Sequence, residues 1–425
     1  MKYLEPNIII VDDIKTEIQG IIEYYTSIGI GCKVFNPDYS EGDSMPEIPY
    51  SDVSVIFLDL YYSDKFDSEQ CCNWVRSIIR EKSFYILILW TKDASKSNEV
   101  LELLQKHNRT PFISIVKSKT EFQTQGAEKY NFTKLFEIIN QELENSPALE
   151  EVQIWKKSVK YASNEILGNL TKNPDKVIDK LKKIIISHGG KSIIVSDDSE
   201  RKRSILFDAL DTVLISNTKK NVNESISELN TNQLYNLHNI KSIDIDKELN
   251  SWFHFKLEEK ISKNLISPGL ISEFKENDWK IMYSIHDDEN ILDYLSKQTS
   301  TDTKIISIVL LLSRPCDLAQ KKYGKNLKLI SGLKIINPIR KTNEKKEFQK
   351  GSSNIDSVKL YDHLYFNETE KDVAILFDFR YSFSVPEKIF IEQFDNIKVF
   401  NKELLSEIQV EYSSYSSRLG ITQII

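Results

Sequence analysis

A regular alternation fills the first third of this chain and narrows what it can fold into. Short apolar runs follow one another: NIIIV (7–11), CKVF (32–35), VIFL (55–58), YILILW (85–90) and FISIV (112–116). Each reads as a strand. Helix-period segments fill most of the gaps. Ile14, Ile18, Ile21, Ile22 and Tyr25 share one face, and Gly29-Ile30-Gly31 stops that helix. A polar, proline-containing loop (36–52) leads to the third strand. A helix over 68–82 carries Cys71, Trp74, Val75, Ile78 and Ile79; SNEVLELLQK (97–106) and residues 133–144, with Phe136, Ile138 and Ile139, supply two more. Strands separated by helices of this length join as a parallel sheet through right-handed crossovers. The expected fold is therefore α/β, a doubly wound five-stranded parallel sheet.

The strand ends raise a chemical question. VIFL runs straight into Asp59, and a lone buried charge is costly, so this acid lies at a surface or has a partner. Ligands of open α/β sheets bind at the carboxyl ends of the strands. Four of the five strands end there in polar residues: Asp12 and Asp13, Asp59, Thr91, and Lys117. Gathered carboxylates repel one another unless a cation sits among them. Hard oxygen ligands with open positions suit Mg²⁺. A hydroxyl and an ammonium beside them suit phosphoryl oxygens. The set describes a carboxylate nucleophile, a metal and phosphoryl ligands, which suffices for phosphoryl transfer.

The motifs IIIVDD, IFLDL, LILWT and SIVK, in that order over residues 5–145, resemble the receiver domain of bacterial response regulators, a flavodoxin-like fold. The resemblance implies that Asp59 accepts a phosphoryl group from a histidine kinase. It implies that Asp12 and Asp13 hold Mg²⁺ with Asp59 and the backbone carbonyl of Tyr61, that Thr91 binds a phosphoryl oxygen, and that Lys117 pairs with the phosphoryl group or Asp59. The sequence departs from the family in several places. Ser118 follows the lysine where proline is usual, Ser114 stands at the aromatic switch position, YYSD replaces a Met-Pro turn, and the bulky Trp90 precedes Thr91. Such divergent receivers resemble those of bacterial anti-phage two-component systems of the Detocs type. There a receiver passes the signal to a downstream effector or drains phosphate from a second receiver.

The rest of the chain is read from its residues alone. ENSPALE (144–150) marks a boundary, which gives a receiver-like domain over 1–145, a mainly helical region over 151–260 and an α+β, β-rich region over 261–425. VQIWKKSVKYASNEILGNL, KVIDKLKKIII and SILFDALDTVLIS have helical period, and SNTKKNVNESISELNTNQ reads as a loop. HGGKS (188–192) lacks the glycine and the strand of a phosphate-binding loop and reads as a helix stop. KIISIVLLL (304–312), LKLISGLKIINPI, DVAILFDFRYSFSVP and KIFIEQF read as strands, and WFHF (252–255) as an aromatic core element. A closing helix turns Leu404, Leu405, Ile408 and Tyr412 inward, with Arg418 and Gly420 as its cap. Polar residues after the long strand at 304–312 make Cys316 and Asp317 a second candidate site, although no histidine or second cysteine stands at catalytic or zinc spacing.

Composition bounds the function. The formal charge of −7 opposes a dedicated nucleic-acid binder. The start lacks a basic leader, and no apolar run approaches the length of a membrane span. The four cysteines include the adjacent Cys71 and Cys72 and form no disulfide framework. The expectation is a cytoplasmic signalling protein without membrane partners, for which homodimerisation is one open arrangement. A receiver-controlled effector with a site near Cys316 and a non-phosphorylated scaffold are the alternatives.

Overall fold

A computed structural model describes residues 5–124, 130–190, 193–222, 245–256, 261–285, 301–314, 317–318, 324, 326–339 and 357–417. The chain divides into two compact units, the first through Trp155 and the second from Lys156.

In the first unit the elements alternate as the apolar runs require. They are β1 (Ile8–Val11), α1 (Lys15–Ser27), β2 (Cys32–Phe35), β3 (Val55–Leu58), a small hairpin of β4 (Tyr61–Tyr62) and β5 (Lys65–Phe66), α2 (Ser68–Ile78), β6 (Ile86–Thr91), α3 (Ser97–Lys106), β7 (Ile113–Ser118) and α4 (Phe132–Glu144). The five long strands form a parallel sheet in the order β2-β1-β3-β6-β7. Side chains alternate between its faces. Ile8, Ile10, Phe57 and Ile88 pack with Ile18 and Ile21 of α1 and Leu135, Phe136 and Ile139 of α4. Ile9, Val11, Ile56, Leu58, Leu87 and Leu89 pack with Cys71 and Val75 of α2 and Val100 and Leu104 of α3. Each such side chain, fully buried, stabilises the fold by about 1.5–3 kcal/mol. The central strands β1, β3 and β6 are almost wholly apolar because helices cover both faces, whereas the edge strands β2 and β7 carry Lys33, Ser114 and Lys117.

The helix expected over 68–82 stops at Ile78. Ile79 is extended and bridges Tyr50, so its apolar side chain reaches the core from a loop. The YYSD stretch forms the β4–β5 hairpin, with Ser63 and Asp64 both at positive φ (49° and 60°). Two left-handed residues in sequence match the twist of a tight two-residue turn.

The second unit opens with long helices. α5 (Pro147–Thr171) runs across the division, and α6 (Val177–Gly189), α7 (Ser199–Val222) and the short α8 (Lys247–His254) follow. The glycines of HGGKS end α6, with Gly190 at φ 68°, whereas Lys191 and Ser192 lie outside the described residues. α7 runs through Val222, into the stretch expected to be a loop. Thr218 there returns its hydroxyl to the Leu214 carbonyl at 2.9 Å and so stays satisfied inside the helix.

After α8 come β8 (Leu270–Phe274), α9 (Asn277–Tyr283), β9 (Lys304–Leu311), β10 (Asn326–Ile336), β11 (Val358–Leu364), β12 (Val373–Pro386), α10 (Glu387–Gln393), β13 (Phe394–Val399) and α11 (Lys402–Ser416). The strands form a six-stranded sheet, β11-β12-β10-β9-β8-β13, in which every neighbouring pair is antiparallel. Two of the expected readings change. KIFIEQF is mostly helix: Pro386 sets the N-cap, and Phe390 stacks on Phe394, the first residue of β13, at 5.2 Å. Of WFHF only Phe255 is core, stacked on Phe400, while Trp252 and Phe253 are exposed. The closing helix buries Leu404, Leu405 and Ile408 as its period requires; Arg418 and Gly420 lie outside the described residues.

Candidate functional site: a lysine among buried carboxylates

The strand order reverses direction between β1 and β3, and a crevice at the carboxyl ends belongs there. Asp12 and Asp59 follow these two strands directly. The sheet bonding continues through both: Asp12 donates its N–H to the Phe35 carbonyl (3.1 Å) and Asp59 to that of Val11 (2.9 Å). Their side chains therefore continue the face of Ile10 and Phe57, on the side of α1 and α4.

A single ammonium joins them. Lys119 Nζ donates to Asp12 Oδ2 at 2.8 Å, to Asp59 Oδ2 at 2.7 Å and to Glu17 Oε2 at 2.6 Å. Lys119 and Asp59 are each 1 % exposed and Asp12 2 %. The remaining oxygens are held as well. Asp12 Oδ1 accepts the Ile14 N–H at 2.8 Å, and Asp59 Oδ1 accepts those of Leu60 at 2.7 Å and Tyr61 at 3.3 Å. Tyr130 donates its hydroxyl to Glu17 Oε1 at 3.0 Å. One oxygen from each of Asp12, Glu17 and Asp59 lies within 4.8 Å of the others, a group that can hold a metal ion.

The electrostatics follow from three acids against one base. A unit pair about 4 Å apart is worth about 4 kcal/mol at an effective dielectric near 20, and carboxylates repel each other on the same scale. Removing each ion from water costs several kcal/mol. Full ionisation is therefore disfavoured. Burial raises the Asp12 carboxyl to about 7, with Lys119 pulling it down and Asp59 pushing it up. Burial likewise raises Asp59, against the pull of Lys119. For Lys119 burial opposes the charge, but Asp12 and Asp59 override it and hold the ammonium above the ordinary lysine value.

The expected residues are thus only partly brought together. Asp12 and Asp59 meet. Asp13 lies beside them, with Oδ2 accepting the Ser63 N–H of the β4–β5 hairpin at 2.7 Å and Oδ1 buried without a hydrogen-bond partner. Tyr61 turns its N–H toward Asp59 and its hydroxyl to Asp93, at 3.2 Å. Lys117 does not meet the acids; its ammonium pairs with Glu142 of α4 at 2.6 Å. Thr91 is fully buried with its hydroxyl unpartnered, and alternation along β6 puts it on the face of Leu89, opposite Asp12 and Asp59.

Two residues of the cluster escaped the sequence reading. Lys119 reaches it because the chain turns just after β7. A 3₁₀ turn over Lys119–Phe122 is pinned by Phe122, buried against Trp90, and this drops Lys119 over the strand ends. Glu17 carried a legible signal: it stands on the apolar stripe of α1, three residues after Ile14 and four before Ile21, where an acid needs a partner. The unusual Trp90 is explained too. Its indole N–H donates to the Glu17 carbonyl at 3.1 Å, which ties β6 to the first turn of α1.

In the second unit, Asp317 lines a cavity of about 330 Å³ together with Arg314, Lys328, Gln409 and Tyr412. Cys316 lies outside the described residues. Cys32, Cys71 and Cys72 are free, and burial pushes the Cys71 thiol up to about 12, so it is inert at neutral pH. Among the described residues no helix is long and apolar enough to cross a membrane.

Fold and cluster together define a doubly wound α/β domain with a buried carboxylate–lysine site at its strand ends, an arrangement compatible with a receiver fold. Compared with models of known protein families, with curated proteins and with solved structures, the chain matches none.

Proposed function

We propose that the first unit is a response-regulator-type receiver whose phosphoacceptor is Asp59. The observation that carries this reading is the placement of Asp59 at the end of the central strand β3, held at 2.7 Å by a buried lysine and flanked by the carboxylates after β1. Lys119 takes the role that the resemblance implies for Lys117. Asp59 attacks the phosphorus of a kinase phosphohistidine; the P–N bond breaks as the O–P bond forms, and the histidine nitrogen leaves with the electron pair and takes a proton from solvent. The site fits Mg²⁺. Its donors are hard oxygens, the buried Asp13 Oδ1 has no partner, and one ammonium cannot offset three carboxylates, so a cation would let them ionise together. Asp12, Asp13 and Asp59 would hold the ion, which neutralises charge around the phosphoryl group. The added charge on Asp59 would then signal to a downstream effector or drain phosphate from a second receiver in a bacterial defence pathway.

A second reading is a scaffold that is never phosphorylated. The burial of Asp59, with both its oxygens already hydrogen-bonded, favours it. Intact mass after incubation with Mg²⁺ and acetyl phosphate separates the two. The receiver gains one phosphoryl group, about 80 Da, in wild type and not in Asp59→Asn. A wild type that gains nothing, even with a cognate histidine kinase, leaves the scaffold.

A further inference from the structure

Lys119 has three ammonium hydrogens and three carboxylate partners, at 2.6–2.8 Å. If a divalent cation takes Asp12 and Asp59, the lysine faces a like charge at the place it now fills. A buried ammonium left without a partner is strongly disfavoured. Of its three acids, Glu17 is the one that does not follow a strand. It sits on α1, its far oxygen is held by the Tyr130 hydroxyl at 3.0 Å and its backbone carbonyl by the Trp90 indole at 3.1 Å. These bonds fix the carboxylate at the edge of the cluster, with its near oxygen on Lys119.

We propose that Glu17 is a positioning residue that retains Lys119 when a divalent cation occupies Asp12 and Asp59. The lysine then gives up two carboxylates without leaving the site. It stays paired and charged beside Asp59, where an ammonium is needed to meet the phosphoryl oxygens. Glu17 acts through Lys119 and does not itself ligate the ion. This rests on the receiver reading above and adds to it a residue that the family resemblance does not supply.

The test is a double-mutant cycle on the full chain, read as Mg²⁺ affinity by titration calorimetry. Glu17→Gln is expected to weaken Mg²⁺ binding tenfold or more in the wild-type background and less than twofold in Lys119→Gln. An equal loss in both backgrounds would make Glu17 a ligand and overturn the proposal, as would no loss in either. Should Lys119→Gln not fold, the chain labelled with ¹⁵N-lysine decides. A buried, paired ammonium gives an observable ¹⁵N–¹H signal, assigned by its absence in Lys119→Arg. That signal should persist on adding Mg²⁺ to wild type and vanish on adding it to Glu17→Gln. Persistence in Glu17→Gln overturns the proposal. A wild type that binds no Mg²⁺ overturns it together with the cation part of the receiver reading. Mg²⁺ binding without any 80 Da adduct sinks the phosphoacceptor alone.

Discussion

Lys117 and Lys119 are two residues apart and chemically identical, yet their surroundings differ sharply. Lys117 makes one pair with Glu142 at the surface of α4; Lys119 neutralises part of a buried cluster. Replacing Lys119 by Met removes the ammonium that touches Asp12, Glu17 and Asp59 and should destabilise the first unit by about 3–5 kcal/mol, the usual cost of breaking a buried pair from one side. Lys117→Ala should cost no more than about 1 kcal/mol. Denaturant unfolding of the two variants checks the contrast, and similar losses would contradict it. The carboxyls also set a pH dependence. Asp12 keeps its proton to about 7 in the folded chain, against an ordinary value near 4, and Asp59 shifts the same way. Between those pH values the native state binds more protons than the unfolded state, so stability should fall as pH rises from about 4 to about 7 in the absence of divalent cations. The Lys119 contribution has the same sign but falls in another window: it is complete below the ordinary lysine value and is lost as pH rises from there through the higher folded value. Melting curves at pH 5 and pH 7.5 measure the carboxyl effect, and Asp12→Asn should flatten it.

Among the elements, the edges of strands and turns are where chain chemistry decides most. The β4–β5 hairpin reaches back to four residues: Ser63 to Asp13 and Asp38, Asp64 to Lys92, and Tyr61 to Asp93. Its turn needs positive φ at residue 64, which an acid tolerates and a β-branched residue does not. Asp64→Val should therefore cost about 1–2 kcal/mol, more than the exposed Lys92 pair alone can account for. In the second sheet, β10 is bulged between Ile330 and Gly332. A Cβ at Gly332 would meet the Leu376 carbonyl oxygen and the Phe377 ring, both at 2.5 Å. Gly332→Ala should destabilise the second unit by about 1–3 kcal/mol, with backbone and ring both forced to shift. Equilibrium unfolding with tryptophan and far-ultraviolet signals reports both substitutions. The helix-period segments were legible in the sequence because apolar spacing alone separates helix from strand. KIFIEQF was not, since seven residues carry either period and the stack of Phe390 on Phe394 settles it.

At the scale of the whole molecule, the two units should respond separately to a cation. Mg²⁺ at a hundred times its dissociation constant raises the stability of whatever binds it by about 2.7 kcal/mol. The thermal transition of the first unit should move up, and that of the second should stay. Asp59→Asn should reduce the shift; an equal shift in both transitions would place the ion elsewhere. The doubly wound sheet was legible in the sequence, because apolar central strands divided by amphipathic helices leave few other ways to bury both faces. The sequence also determined that Asp12, Asp13 and Asp59 lie along one edge, since parallel strands end on the same side. Which base meets them and which acids join depended on packing between segments far apart in the chain. Thr91 faces away because side chains alternate along β6, Lys119 comes in because Phe122 pulls the turn after β7 into the core, and Glu17 arrives from the first turn of α1. The antiparallel order β11-β12-β10-β9-β8-β13 was hidden for a related reason. It pairs strands as far apart in sequence as β8 and β13, and no local period records which distant strand a given edge will meet.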